Sequence, residues 1–151
     1  MNTRTALAAP ALIVAGLLAL TGCSAYDSLV HKQSTSTFED AGAFADGAEV
    51  DADWLPTDAT EITVRTSTLE DAADAVVMLT SSSPVSGDCT ETERSSAPAW
   101  VLDEAPDPYT AKTVFVCGDW SMIATDDGWY GWTPNSDDER AAAAAAGASA
   151  D

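Results

Sequence analysis

Trp120-Ser121-Met122-Ile123-Ala124-Thr125-Asp126-Asp127-Gly128-Trp129-Tyr130-Gly131-Trp132 is the stretch from which the fold is read. Asp-Gly between two apolar runs is the strongest short-range hairpin signal, because both turn positions then tolerate positive φ. With Asp127 and Gly128 as the two turn residues, Thr125 faces Tyr130, Ala124 faces Gly131 and Ile123 faces Trp132. Period-two alternation places Ile123, Thr125, Tyr130 and Trp132 on one face and Met122, Ala124 and Trp129 on the other. Both faces carry large apolar groups. One is expected to pack on the core, and the other to meet the preceding chain, a helix or a partner.

Outward from the hairpin, Thr113-Val114-Phe115-Val116-Cys117 is the strongest single strand, built of β-branched and aromatic residues. Glu61-Ile62-Thr63-Val64-Arg65-Thr66 alternates cleanly and reads as a half-buried strand. Before it, Trp54-Leu55-Pro56-Thr57-Asp58-Ala59 is turn-rich: Pro56 fixes φ, and Thr57 and Asp58 can bond back to the backbone. Leu69–Leu79 is ambiguous. Thr68 with Asp71 resembles a helix cap and Leu69, Ala72, Ala73 and Val76 fit a helical face. A turn through Leu69–Asp74 followed by a strand over Ala75–Thr80 fits better. Ala99-Trp100-Val101-Leu102 is a short strand candidate, and Cys89 sits in a polar loop. The expected fold is α+β or mainly β: a small antiparallel sheet of about five strands with a C-terminal β-hairpin and one disulfide.

The N-terminus has the parts of a secretory signal: Arg4, an apolar run over Ala6 to Leu20, and small residues before a cysteine. The run is short of the roughly 20 apolar residues that span a bilayer, and it contains Pro10 and Gly16. Leu20-Thr21-Gly22-Cys23 resembles the lipobox of bacterial lipoproteins. With the Trp54-Leu55-Pro56-Thr57-Asp58-Ala59-Thr60-Glu61-Ile62 segment and the alanine, aspartate and threonine bias, the chain is similar to small secreted lipoproteins of high-GC actinobacteria. The resemblance implies cleavage between Gly22 and Cys23 and a diacylglyceryl group on the Cys23 thiol. Two acyl chains hold a protein stably on a membrane, so the expected location is the outer face of the cell membrane. With Cys23 committed to lipid, Cys89 and Cys117 remain in an oxidising compartment, and a disulfide between them is the natural inference. A two-thiol metal or redox site is the alternative, although the spacing is not Cys-x-x-Cys and no zinc co-ligands accompany the pair.

Four segments are expected: a signal peptide over 1–22, a lipidated flexible tether over 23–48, a compact domain over 49–134 and a disordered Asp/Ala-rich tail over 135–151. The tether is rich in Ser, Thr, Gly and acids, with Phe38 and Phe44 able to support at most a weak helical turn. In the tail, Asp137 and Asp138 suit a helix start and the alanines favour helix, but no apolar face is present to dock it.

The chain carries 6 Lys+Arg against 25 Asp+Glu, a net charge of -19. Such a surface repels nucleic acid and other polyanions, so no nucleic-acid partner is expected. Catalysis lacks its parts. The only histidine, His31, lies in the expected tether, no Gly-x-Ser-x-Gly elbow occurs, and Lys32 and Lys112 are not placed beside a candidate nucleophile. Asp51-Ala52-Asp53 begins like a calcium loop, but Leu55 and Pro56 occupy positions that need an oxygen ligand and a glycine. No enzyme, metal or cofactor is expected. The five tryptophans (Trp54, Trp100, Trp120, Trp129 and Trp132) form either the core of a small fold or, in part, a surface that stacks on sugars or anchors a partner. Trp129, Tyr130 and Trp132 are the candidate binding surface. The expected role is a non-catalytic protein-binding or adaptor lipoprotein of the envelope, with small-molecule or glycan binding as the alternative.

Overall fold

The computed structural model describes residues 32–148. The expected signal peptide, Gly22, Cys23 and His31 lie outside the described residues. Element order is β1 (Gln33–Asp40), α1 (Ala41–Gly47), β2 (Thr60–Ser67), β3 (Ala75–Thr80), β4 (Thr90–Glu93), a 3₁₀ turn (Pro108–Thr110), β5 (Thr113–Cys117), β6 (Trp120–Ala124), β7 (Gly128–Thr133) and α2 (Asp137–Gly147). The strands form one sheet in the order β1-β2-β3-β7-β6-β5-β4. Every pairing is antiparallel. The protein is mainly β, and Cys89 and Cys117 form a disulfide that joins the residue before β4 to the end of β5.

The β6–β7 hairpin forms with its two-residue turn one position earlier than expected. Ala124 faces Trp129, Ile123 faces Tyr130, Met122 faces Gly131 and Ser121 faces Trp132. The Thr125 N–H donates to the Gly128 carbonyl at 2.9 Å, so Asp126 and Asp127 make the turn and Gly128 opens β7. The cause lies in the next strand. Gly128 faces Thr80 of β3, and a Cβ there would run into the Leu79 carbonyl. The glycine is needed for close strand approach rather than for turn geometry. Each partner moves by two residues, which leaves every side chain on its expected face.

Both faces are buried. On one, Met122, Val64, Val77, Leu79 and Trp120 pack with Phe44 of α1 and with Trp54 from the α1–β2 loop. On the other, Ile123, Tyr130, Trp132, Val76, Val114 and Val116 pack with Leu102, supported by Trp100 and by Ala143 of α2. The turn at 69–74 is followed by β3 over Ala75–Thr80, as the favoured reading of that segment had it.

Four expectations need correction. The described part of the expected tether is folded: 33–40 is a strand and 41–47 a helix. β1 needs only one apolar contact because it pairs on one side, and Phe38 supplies it edge-on to Phe44 at 5.4 Å. Asp40 caps α1 by accepting from the Ala43 N–H at 2.8 Å. The expected tail carries α2, docked not by an apolar face but by Glu139, which is 1% exposed. Ala99–Leu102 forms no strand, since Val101 is exposed while the Trp100 carbonyl is taken by the Tyr130 hydroxyl at 3.0 Å. The sheet therefore has seven strands rather than about five, through the polar strands β1 and β4.

Candidate functional site

The end of β3 and the hairpin turn enclose an open cleft of about 500 Å³, lined by Thr80, Ser81–Pro84, Thr125–Gly128 and Trp129. Its first wall is the Ser81-Ser82-Ser83 run, organised by Asp58 from the turn before β2. The Asp58 carboxylate accepts from the Ser81 hydroxyl at 2.6 Å, the Ser82 N–H at 3.2 Å and the Ser82 hydroxyl at 3.1 Å. The bond from the Ser81 hydroxyl, helped by those from Ser82 and Ser83, outweighs desolvation and holds Asp58 below its ordinary pKa. The Ser81 N–H also donates to the Asp127 carbonyl at 3.0 Å, which ties this wall to the hairpin turn.

The second wall is Trp129. Its ring meets Phe115 edge-on at 5.5 Å, and its indole N–H donates to the Ser83 carbonyl at 2.9 Å. It remains half-buried rather than buried. A partly exposed aromatic, fixed at both ends and rimmed by hydroxyls and carboxylates, can anchor an apolar group while the rim supplies hydrogen bonds. The lining contains no histidine, lysine or cysteine.

The other two residues of the expected binding surface are elsewhere. Tyr130 and Trp132 are both 0% exposed, on the opposite face of β7. The Trp132 indole N–H donates to the Ser96 hydroxyl at 2.8 Å. Burial pushes the Tyr130 phenol up to about 12. These two side chains are core, because alternation along β7 turns them toward Ile123 and Val76. Trp129, Tyr130 and Trp132 thus do not form one surface, and only Trp129 reaches the cleft. Trp54 and Trp120 are buried as well. Sequence reasoning missed Asp58, which it read only as a turn residue, and Ser81–Ser83, which it did not read as a site. The signal was there: a polar Ser-Ser-Ser-Pro run placed next to the hairpin by its strand.

A second cleft of about 730 Å³ lies on the opposite face, where Glu61, Glu104, Asp126 and Asp127 surround Met78. No group of three or more His, Cys, Asp or Glu among the described residues is placed to hold a metal ion. No helix among the described residues is long and apolar enough to cross a membrane. No protein-family model matches the chain, and neither a curated protein nor a solved structure matches it significantly.

Proposed function

We propose that the protein is an extracytoplasmic lipoprotein, anchored through Cys23 to the outer face of the cell membrane, that holds an envelope protein without catalysis. Its docking point is the hairpin cleft. The observation that carries this reading is the half-buried Trp129, pinned by Ser83 and Phe115 beside a polar rim that Asp58 keeps rigid. Anchoring rests on the Leu20-Thr21-Gly22-Cys23 motif.

The test is a photo-crosslinking residue at Ser82 in the full-length protein in its native membrane. One protein partner is expected, and Trp129→Ala should reduce its capture about thirtyfold or more, the scale of an interface hot spot of about 2 kcal/mol. Trp129→Phe, which keeps a ring on Phe115, controls for loss of fold. Diffuse adducts, matching those of a Cys23→Ser control, would overturn the adaptor reading. The three serine hydroxyls beside an aromatic favour a glycan as the second reading. A melting temperature that rises with one saccharide class and not with others would establish it.

A further inference from the structure

β1 closes one edge of the sheet and pairs with β2 only. Its hydrogen-bond phase can be read from its ends. The Thr68 N–H donates to the Lys32 carbonyl, and the Ser67 N–H donates to the Asp74 carbonyl on the far side of β2. With Gln33 opposite Ser67 and Ser34 opposite Thr66, Ser34 and Ser36 bond to β2, while Gln33, Thr35 and Thr37 turn their backbone N–H and C=O groups outward. No other described residue hydrogen bonds to those outward groups.

Folded proteins blunt such edges with lysine, proline or a bulge, since a bare row of backbone groups templates pairing with another chain. None of these interrupts Gln-Ser-Thr-Ser-Thr-Phe-Glu-Asp over residues 33–40. Ser36 and Thr37 are exposed. The charges along this edge are also ordered. Lys32 lies at one end, and Glu39 and Asp40 at the other.

We propose that β1 is the seam through which two copies of this chain pair edge to edge, antiparallel, about a two-fold axis at Ser36. The pairing sets Thr35 of one copy opposite Thr37 of the other, so the outward backbone groups bond to each other. Thr–Thr is a favourable cross-strand pair. The same operation brings Lys32 of each copy opposite Asp40 of its partner. A single two-fold interface closes on itself. The opposite edge cannot extend the sheet further in the same way, because β4 has only four residues, two of them Glu91 and Glu93.

The register makes the idea testable. Residue 36 meets its own copy in a non-hydrogen-bonded pair, with Cα atoms about 4.5 Å apart, inside the range a disulfide bridges. The full-length chain carrying Ser36→Cys, held in membranes under oxidising conditions, is expected to yield a dimer linked Cys-to-Cys at position 36 by mass spectrometry. Ser34→Cys is the register control. Its two sulfurs would lie more than about 10 Å apart along the strands, so it should crosslink at least tenfold less. Adding Thr35→Pro to Ser36→Cys removes an outward donor without touching the β2 ladder, and should abolish the link while the melting temperature stays within a few degrees. Equal crosslinking at positions 34 and 36, no link at 36, or a link to a different protein or to the chain's own N-terminal segment would each overturn the two-fold seam. None of these results bears on the Ser82 crosslink, so the two proposals stand or fall separately.

Discussion

At one edge of the sheet, β4 is bound down from three directions, whereas at the other, β1 is held by its ladder to β2 and the Phe38 contact with Phe44. The disulfide anchors the start of β4. Past its end, Arg94 donates to the carbonyls of Ala111 at 3.0 Å and Ser96 at 2.7 Å and lies 5.2 Å over the Tyr109 ring. From the side, α2 delivers Glu139. Its carboxylate accepts from the Ser95 and Ser96 N–H groups at 2.7 and 2.8 Å, and from the Ser96 and Ser121 hydroxyls at 2.7 Å each. The difference follows from length. A four-residue strand gains too few ladder bonds to repay its ordering, so β4 needs covalent and ionic clamps. Eight residues in continuous register let β1 persist with a bare outer edge.

Removing the clamps should therefore open the β4 edge while leaving β1 in place. The largest effect is expected from the disulfide. Cys89→Ser with Cys117→Ser frees a 28-residue separation, which the chain-entropy model values at about 3–4 kcal/mol. Chemical denaturation would read the loss, and hydrogen exchange should quicken in β4 and β5 before β1. Uniform quickening across both edges would refute the asymmetry. Next in size is Glu139→Ala. It strands the buried Ser121 hydroxyl and the part-buried donors of Ser95 and Ser96, and should remove about 3 kcal/mol. It should also unfold α2, seen as a loss of helical circular dichroism.

Acid provides the same test without mutation. Burial raises the Glu139 pKa, but bonds from Ser96, Ser121 and Ser95 overcome it and the net direction is down from 4.5. A carboxylate depressed in the folded state contributes fully above its unfolded pKa and loses that contribution as pH falls through the folded value. α2 should thus stay docked at neutral pH and detach below the ordinary carboxylate range, sooner than β1 melts. Glu139→Gln should remove this acid step.

The central strands were legible in the sequence because burial writes itself as apolar residues, at alternate positions in β2 and on both faces in β3, β6 and β7; β5 was visible as well. Even the two-residue error in the hairpin left its faces correct. Both edge strands were invisible for one physical reason. An edge strand is stabilised by backbone bonds on one side, so Ser-Thr-Ser-Thr in β1 and Thr-Glu-Thr-Glu in β4 carry no hydrophobic signature. α2 was missed because its anchor is a single buried carboxylate, satisfied by residues 18 to 44 positions away. Its capping box of Ser136 and Glu139 could have been read directly. Of the site, Trp129 was legible as an aromatic near the turn. Its separation from Tyr130 and Trp132 followed from alternation, yet a three-residue aromatic cluster in sequence reads as one surface until the strand's two faces are both known to be covered.

Arg65 gives the smallest expected effect and the sharpest view of what holds β1. Its guanidinium is the main side-chain link between β1 and the segment beneath it: Nε donates to the Thr35 hydroxyl at 3.1 Å and a terminal nitrogen to the Val101 carbonyl at 3.3 Å. Both bonds are solvent-exposed, so water replaces them readily and little net energy is lost. If the backbone ladder holds β1, Arg65→Ala should remove less than about 1 kcal/mol and move the melting temperature by no more than about 4 °C, with the β1 amides still protected. A loss closer to that of Glu139→Ala, or β1 amides that exchange freely, would mean that this edge too depends on a side-chain clamp. The contrast between the two edges would then be one of degree, and an edge needing such a clamp would be a poor seam for a second copy.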